Sequence, residues 1–250
     1  MYRERPSRLT GAVLWTLTPG DRDGPAAPAA PRPVLPDGCM DLLWSEDGLL
    51  VAGPDTRAHP TTDAPAPVGA GLRFAPGTAP ALLGVPAREL RDLRVPLADL
   101  WGAAETRRFA ARVDPADPAA GLEAVALRRA ADTPPPDAWL TPLVRHLAAG
   151  GSVAAAAEHA GLGARQLHRR SQDLFGYGPK TLARILRLRR ALALIHGETP
   201  YAEAALTAGC ADQAHLAREM RALSGMTLGA YTAASAKRET PMPSGSSTTA

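Results

Sequence analysis

The strongest constraint on the fold of this 250-residue chain is an internal repeat in its C-terminal half. The stretch AGLGARQLHRRSQDLFG, residues 160–176, has a second copy, AGCADQAHLAREMRALSG, at residues 208–225. Each copy follows a short alanine-rich segment and has a glycine near its start. A shift of 49 positions aligns four identical pairs, namely Leu167 with Leu216, Arg169 with Arg218, Leu174 with Leu223 and Gly176 with Gly225. This pattern predicts two helix-turn-helix units joined by a helix formed from PKTLARILRLRRALALI.

Helical periodicity separates a packed side from an exposed side in each copy. The packed side of the first copy is predicted to contain Ala164, Leu167, Ser171 and Leu174. Its exposed side is predicted to contain Arg165, His168, Arg169 and Gln172. In the second copy Leu216, Met220 and Leu223 form the packed side, and His215 and Arg218 lie outside it with Ala211 and Ala214. The two exposed sides therefore carry an arginine at the same place, which favours contact with a polyanion over a merely solvated surface.

The predicted exposed sides have the chemistry that DNA recognition requires. The major groove of B-DNA admits one α-helix, and arginine, glutamine and histidine can pair with the base edges displayed there. Two units held on one helix can enter consecutive major grooves, about 34 Å apart. Phosphate contacts add affinity without sequence information. The candidates for backbone or peripheral contacts are Arg170, Gln172, Lys180, Arg184 and Arg187, with Arg189 and Arg190 nearby.

Residues 150–231 resemble the AraC/XylS-type transcription regulator domain. The resemblance rests on AGLGARQLHRR, LFGYGPKTLARILRLRRALALI and AGCADQAHLAREM…SGMTLGAY, in that order and spacing. It implies two recognition helices that read adjacent major grooves. The base-facing positions that it implies are Arg165, His168 and Arg169 in the first unit, and Gln213, Ala214, His215 and Arg218 in the second. Because Ala214 has no polar side-chain atom, the predicted base contacts of the second unit are Gln213, His215 and Arg218.

The chain departs from the usual pattern of that family mainly at packing positions. Cys210 follows the turn glycine where the family has phenylalanine, and Ser171 stands where a large apolar residue is usual. The other departures are Leu216, Met220, Leu228 and Thr232. All of these differences except Thr232 concern the packing of the units rather than the side chains that would face DNA.

The N-terminal part is predicted to be β-rich. GAVLWTL, CMDLLW, GLLVAG and AGLRF are short apolar runs bounded by glycine, proline and aspartate, which indicates a sandwich or open barrel. The segments LPDGCMDLLW and VAGPDTR, and the stretch from LRFAPG to PLADLWG, resemble an uncharacterised, cupin-like sensor domain that precedes such DNA-binding modules. The predicted fold class is therefore α+β, with a β-rich, cupin-like barrel or sandwich followed by an all-α double helix-turn-helix domain.

Four regions follow from these patterns. A β-rich sensor or dimerisation domain is expected at 1–100, a helical connector at 101–136, the double helix-turn-helix domain at 137–234 and a disordered tail at 235–250. The breaker TPPPD marks the boundary before the DNA-binding domain. Helices of that domain are predicted at 138–149, 153–160, 164–174, 179–196, 201–208, 212–223 and 227–234. Residues 1–136 carry 15 basic against 17 acidic residues and residues 137–235 carry 11 against 7, which assigns a polyanion partner to the second region.

The sequence argues against an enzyme, a cofactor or a metal site. Residues 1–136 contain one histidine, His59, whereas a cupin metal centre needs several histidine and carboxylate ligands. Cys39 and Cys210 form no zinc motif and are predicted to be reduced thiols, with a redox role for Cys39 as the alternative. Turn chemistry explains Asp37 and Asp41, and RFAPG (73–77) is read as a strand and turn. We expect His146, His159 and His196 to be ordinary helix residues without partners at ligand spacing.

We expect a cytoplasmic, sequence-specific DNA-binding transcription regulator that has no signal peptide and no membrane partner. Its main partner is double-stranded promoter DNA. A small-molecule effector at the N-terminal domain, a homodimer and contact with RNA polymerase are further expectations. The alternatives are an N-terminal domain that is an enzyme or a pure dimerisation module attached to the DNA-binding domain.

Overall fold

The computed structural model describes residues 2–17, 33–59 and 68–236. Most of the tail that was predicted to be disordered, from residue 237 onward, lies outside the described residues. No helix in the described part of the chain is long and apolar enough to cross a membrane.

Within these residues, six antiparallel strands form one sheet. They are β1 (Tyr2–Pro6), β2 (Ala12–Leu17), β3 (Met40–Ser45), β4 (Gly48–Ala52), β5 (Val68–Phe74) and β6 (Arg94–Pro96). Their order across the sheet is β1-β2-β5-β3-β4-β6, so β1 and β6 are its edges. The four strands predicted from apolar runs are confirmed. The sequence did not indicate β1 or β6, because YRERP has no apolar alternation and β6 has three residues.

Helices cover one face of the sheet, and every second side chain of each strand points to that face. Leu14, Leu42 and Leu72 point to this face and are at most 1% exposed. The elements that cover it follow β5 in the chain. They are α1 (Ala79–Leu83), a 3-10 turn (Ala87–Glu89), α2 (Leu97–Trp101), α3 (Ala103–Ala110) and α4 (Pro118–Ala131).

Helices α3 and α4 lie in the region expected to be a connector, but they pack as part of the N-terminal core. Phe109 of α3 and Leu122 of α4 are buried in the same apolar cluster as the strands. Glu123 is 3% exposed and accepts hydrogen bonds from Ser7 Oγ and the Arg8 amide, both at 2.7 Å. Burial alone would raise the pKa of Glu123, but these bonds lower it to about 2. The small apolar residues of α4 make it a core element, which explains the difference from the predicted connector.

The C-terminal region is all helical, as predicted. Its helices are α5 (Leu140–Ala148), α6 (Val153–His159), α7 (Ala164–Phe175), α8 (Pro179–His196), α9 (Tyr201–Ala208), α10 (Gln213–Ser224) and α11 (Leu228–Ala236). Every end is within two residues of its predicted position. The α+β class, with a β-rich domain ahead of an all-α domain, is confirmed. The described strands form a single open sheet with helices on one face.

The repeat appears in the structure as α6–α7 and α9–α10, two short-helix, turn, long-helix units. Gly161 and Gly209 each begin a turn with positive φ, 64° and 91°. This left-handed conformation strains residues that carry a Cβ, so glycine ends the first helix of each unit. Helix α8 joins the units and buries Leu182, Ile185 and Leu192 completely in their shared core.

Three polar contacts join the N-terminal domain to the helix-turn-helix region. Arg88 pairs with Asp173 of α7, Arg189 of α8 donates to the Asp37 carbonyl at 3.1 Å, and the Ala58 amide donates to the Leu223 carbonyl of α10 at 2.7 Å. At the end of α7 the backbone of the helix-turn-helix region lies close to the N-terminal domain. A Cβ on Gly176 would lie 2.6 Å from Pro54 Cγ, so only glycine fits there.

Candidate nucleic-acid interface

Helix α7 is positioned by the residues that it buries. Leu167 and Phe175 are 1% exposed and Ser171 is fully buried. Leu174 is half-buried, while Ala164 is exposed at the helix start and does not join the packed side as predicted. The opposite side presents Arg165, His168 and Arg169, which are all exposed. The structure therefore places the three predicted base-contacting residues of the first unit together on one accessible surface.

Helix α10 repeats this arrangement with stronger capping. Leu216 and Met220 are fully buried and Leu223 is 3% exposed, which confirms the predicted packed side. Asp212 caps the helix by accepting a hydrogen bond from the His215 amide at 2.6 Å. Gln213 and Arg218 are exposed and His215 is half-buried. Helix α7, by contrast, begins after Gly163, which offers no side-chain cap.

The arginines on these surfaces are available for an external partner. Among the described residues, Arg165, Arg169 and Arg218 have no ion-pair partner. The histidines differ between the units. His168 accepts a hydrogen bond from the Gln172 amide nitrogen at 3.0 Å, and its ring lies over Gly178, where a Cβ would come within 2.8 Å.

In the second unit His215 is held by its own helix. Its Nδ1 accepts from the Ala211 amide at 3.2 Å, and its Nε2 lies 3.8 Å from the Glu219 carboxylate. Glu219 also accepts a 2.8 Å hydrogen bond from Arg184 of α8. A carboxylate thus lies beside the basic side chains of α10.

The predicted backbone-contacting residues divide into free and engaged groups. Lys180 is exposed and Arg187 half-buried. Arg170 pairs with Asp137 at 3.0 Å and lies 5.6 Å from the Trp139 ring, and Arg184 pairs with Glu219. Arg189 and Arg190 donate to the carbonyls of Asp37 and Ala149. The engaged groups hold helices and domains together, so phosphate contact by them requires exchange of these partners.

Arg221 is a residue of this surface that sequence reasoning missed. It is exposed in the last turn of α10 and occupies the position that aligns with Gln172 of α7. The shift of 49 positions already contained this signal, because Gln172 was assigned to the exposed side of the first copy. The exposed surface of α10 therefore carries two arginines, Arg218 and Arg221.

The N-terminal residues that the sequence analysis considered, Cys39, Asp37 and Asp41, are held in hydrogen bonds and ion pairs within the domain. Cys39 is buried, burial raises the pKa of its thiol, and its amide donates to Asp37 at 2.9 Å. Arg73 is 6% exposed and lies 3.2 Å from Asp41 and 3.4 Å from Asp37. Burial alone would lower the pKa of Arg73, but these two carboxylates raise it well above its usual value. A buried, protonated thiol is a poor redox sensor, and Arg73 neutralises acidic neighbours.

The other predicted candidates of this domain also have backbone or structural roles. His59 pairs through its main chain with Val34, at 2.8 Å in both directions. The described residues contain no cluster of three or more histidine, cysteine or carboxylate side chains that could hold a metal ion.

Comparison with known proteins assigns both regions. Residues 156–234 match a family described as a helix-turn-helix domain, and residues 12–96 match a domain of unknown function, DUF6597. Two crystal structures of ToxT from Vibrio cholerae are similar. One, an apo variant, is 11% identical with a TM-score of 0.41, covering 80% of this chain and 90% of that chain. The other is 10% identical with a TM-score of 0.39, covering 79% and 86%. No curated protein matches the sequence.

The matched helix-turn-helix family covers both units of the repeat except the first three residues of α6, together with the linker helix α8 and the exposed surfaces of α7 and α10. Residues 156–234 therefore form an AraC-type helix-turn-helix domain behind a DUF6597 domain, and the chain is a DNA-binding transcription regulator.

Proposed function

We propose that this regulator binds specific DNA sequences by placing α7 and α10 in adjacent major grooves on one side of the duplex. One observation carries the proposal: Arg169 and Arg218 occupy aligned positions on two exposed helix surfaces, and neither has an ion-pair partner among the described residues. Exposed, unpaired arginines are free to bind a partner. Guanine presents two acceptors in the major groove that match a guanidinium group.

The first unit reads most of the sequence in this account. Arg165, His168 and Arg169 lie on one side of α7 over little more than one turn, which is the span that a recognition helix presents to base edges. The second unit contributes Gln213, His215 and Arg218. Because His215 is bonded to Ala211 and Glu219, Arg218 carries most of the readout by α10.

Phosphate contacts position the protein in this account. Lys180 is exposed in the first turn of α8 and Arg187 is half-buried two turns later. Each such contact adds affinity that falls with salt. Gln172 and Arg221 lie at aligned positions at the edge of the two surfaces and complete the peripheral contacts.

Selection of bound duplexes from a random pool by the full chain tests this proposal. We expect an enriched motif with two half-sites about 10 base pairs apart, centre to centre. Binding to that motif should be at least about 10³-fold tighter than binding to unrelated DNA at the same salt concentration. Failure to enrich any motif, or enrichment of a single half-site, would contradict the two-groove arrangement.

We also propose that the N-terminal domain controls DNA binding through its contacts with the helix-turn-helix units, in response to a small-molecule effector. The support is that the contacts reach all three helices that set the recognition geometry: Asp173 of α7, Arg189 of α8 and Leu223 of α10. A change in the N-terminal domain at these points alters the relative placement of α7 and α10.

A charge exchange at Arg88 and Asp173 tests this control without disturbing either core, since both side chains are nearly half exposed. We expect Arg88→Glu to shift the affinity for the selected DNA, because it places a glutamate carboxylate next to the Asp173 carboxylate and the two repel each other. The double variant R88E/D173R should restore the wild-type value, with D173R alone as the control for added charge. If R88E binds DNA like the wild type, this contact plays no part in control.

A further inference from the structure

Two histidines on neighbouring helices, His146 of α5 and His159 of α6, lie next to each other. The rings of His146 and His159 have centroids 5.3 Å apart and are nearly perpendicular, at 85°. His159 is exposed and His146 is half-buried. The sequence pattern did not predict this pair, because thirteen positions in two different helices separate the residues.

The ring of His146 is fixed by the backbone of the following turn. Its Nε2 lies 3.2 Å from the Ser152 carbonyl oxygen, and a Cβ on Gly151 would come within 2.2 Å of the same nitrogen. Because a carbonyl can only accept, Nε2 carries the proton and Nδ1 keeps its lone pair. A hydrogen bond from one imidazole nitrogen to a backbone carbonyl is the usual arrangement behind a metal-binding histidine.

An open groove of about 410 Å³ lies beside the pair. Its other walls are apolar, and they include Trp139, Leu143 and Ala156. Water or a small exogenous ligand has room there to complete the coordination of an ion held by the two imidazoles. No acidic side chain lines the groove, so the two imidazoles are the metal-ligating side chains among its lining residues.

The spacing of the rings fits one tetrahedral ion. Zinc–nitrogen bonds are about 2.0–2.1 Å, which places the ring centroids of a tetrahedral two-imidazole site about 5 Å apart. Imidazole suits zinc and copper, whereas calcium and magnesium prefer oxygen ligands. A site with two protein ligands binds more weakly than closed structural sites with four.

We propose that His146 and His159 form an exchangeable site for a divalent transition-metal ion such as Zn²⁺, with water in the remaining positions. The ion ties α5 to α6, the first helix of the first helix-turn-helix unit. Ion binding to the folded chain therefore stabilises the part of the molecule that supports α7.

Zinc titration of the full-length chain by calorimetry tests the proposal. We expect one saturable site in the wild type, loss of that site in both His146→Gln and His159→Gln, and retention in His196→Gln. His196 is a matched control because it lies at the far end of α8, where its Nδ1 contacts the Leu192 carbonyl. X-ray absorption at the zinc edge should show two imidazole ligands.

Thermal melting separates metal binding from a folding defect. Zinc should raise the melting temperature of the wild type and of H196Q, and should leave H146Q and H159Q unchanged, while all four chains have the same helical circular dichroism without metal. The proposal is overturned if the wild type shows no saturable site, if H146Q and H159Q bind zinc like the wild type, or if H196Q loses the site as they do. None of these outcomes depends on DNA binding.

Discussion

Helices α7 and α10 bury aligned positions on their packed sides and differ on their exposed sides. Leu167 and Leu216 are buried at aligned positions, and so are Ser171 and Met220. On the exposed side, α7 has free arginines and an uncapped start at Gly163. The exposed side of α10 is instead flanked by Asp212 and Glu219. The repeat is therefore kept in the positions that are buried, whereas the charge available to DNA differs between the two helices.

Because of this difference, we propose that α7 contributes more to sequence reading than α10. Arg165 and Arg169 are both unpaired among the described residues. In α10, Asp212 at the helix start and Glu219 in the middle of the helix reduce the positive potential around Arg218. Four changes test this comparison, in order of decreasing expected effect.

The largest effect is expected from removal of the free arginines of α7. The double variant R165A/R169A loses two base contacts worth about 1–3 kcal/mol each, so its affinity for the selected site should fall at least thirtyfold. A competition assay at fixed salt measures it. The charge-matched control is R107A/R108A, which removes two exposed arginines of α3. An α7 variant that binds within twofold of the control would refute the assignment.

A smaller effect is expected from the corresponding change in α10. R218A/R221A also removes two exposed arginines, but we expect only about a tenfold loss, roughly 1.4 kcal/mol, because nearby carboxylates already weaken their contribution. The same assay gives the ratio between the two double variants. A loss equal to or greater than that of R165A/R169A would reverse the proposed order of the two units.

Exchange of the helix caps should reduce the difference between the two units in their contribution to DNA affinity. Gly163 has extended φ and ψ, −67° and 153°, and a Cβ there meets nothing within 4 Å. Gly163→Asp should therefore stabilise the fold by a few tenths of a kcal/mol, which denaturant unfolding measures. It should also weaken DNA binding, because it places a carboxylate near phosphates.

Asp212→Asn is the reciprocal variant, since asparagine retains the cap without the charge. Its DNA affinity should rise at low salt and its stability should stay close to wild type. If G163D and D212N bind DNA equally well, charge at the helix starts does not distinguish α7 from α10.

The smallest effect is expected from release of the side chains held by Glu219. Glu219→Gln removes the carboxylate that pairs with Arg184 and lies near His215. Because the Arg184 pair is partly exposed, the stability cost should be below about 1 kcal/mol. DNA affinity should rise a few-fold at low salt, and the gain should disappear at high salt as screening increases. A salt titration of DNA binding by the wild type and by E219Q tests this expectation.

Much of the C-terminal fold was predictable because local signals repeat there. Left-handed glycines, apolar spacing and the TPPPD breaker set the helix ends to within two residues. The exposed sides of α7 and α10 followed from the same spacing, as did their arginines. Arg221 was not predicted, although it aligns with Gln172, which the same spacing places on the exposed side of the first copy.

The rest depended on contacts between residues distant in sequence. Strand β1 has no apolar alternation and exists because β2 pairs with it. Helix α4 looked like a connector, yet its small residues fit the sheet. The engagement of Arg184 by Glu219, the anchoring of Arg189 on Asp37 and the meeting of His146 with His159 all arise from packing that a linear pattern does not contain.

The most direct test of the central claim is hydroxyl-radical footprinting of the full chain on its selected duplex. We expect two protected patches on one face of the DNA, about one helical turn apart. R165A/R169A should remove protection from one patch and R218A/R221A from the other, with the greater loss of affinity in the first case. A single patch, or protection that neither double variant alters, would contradict the account.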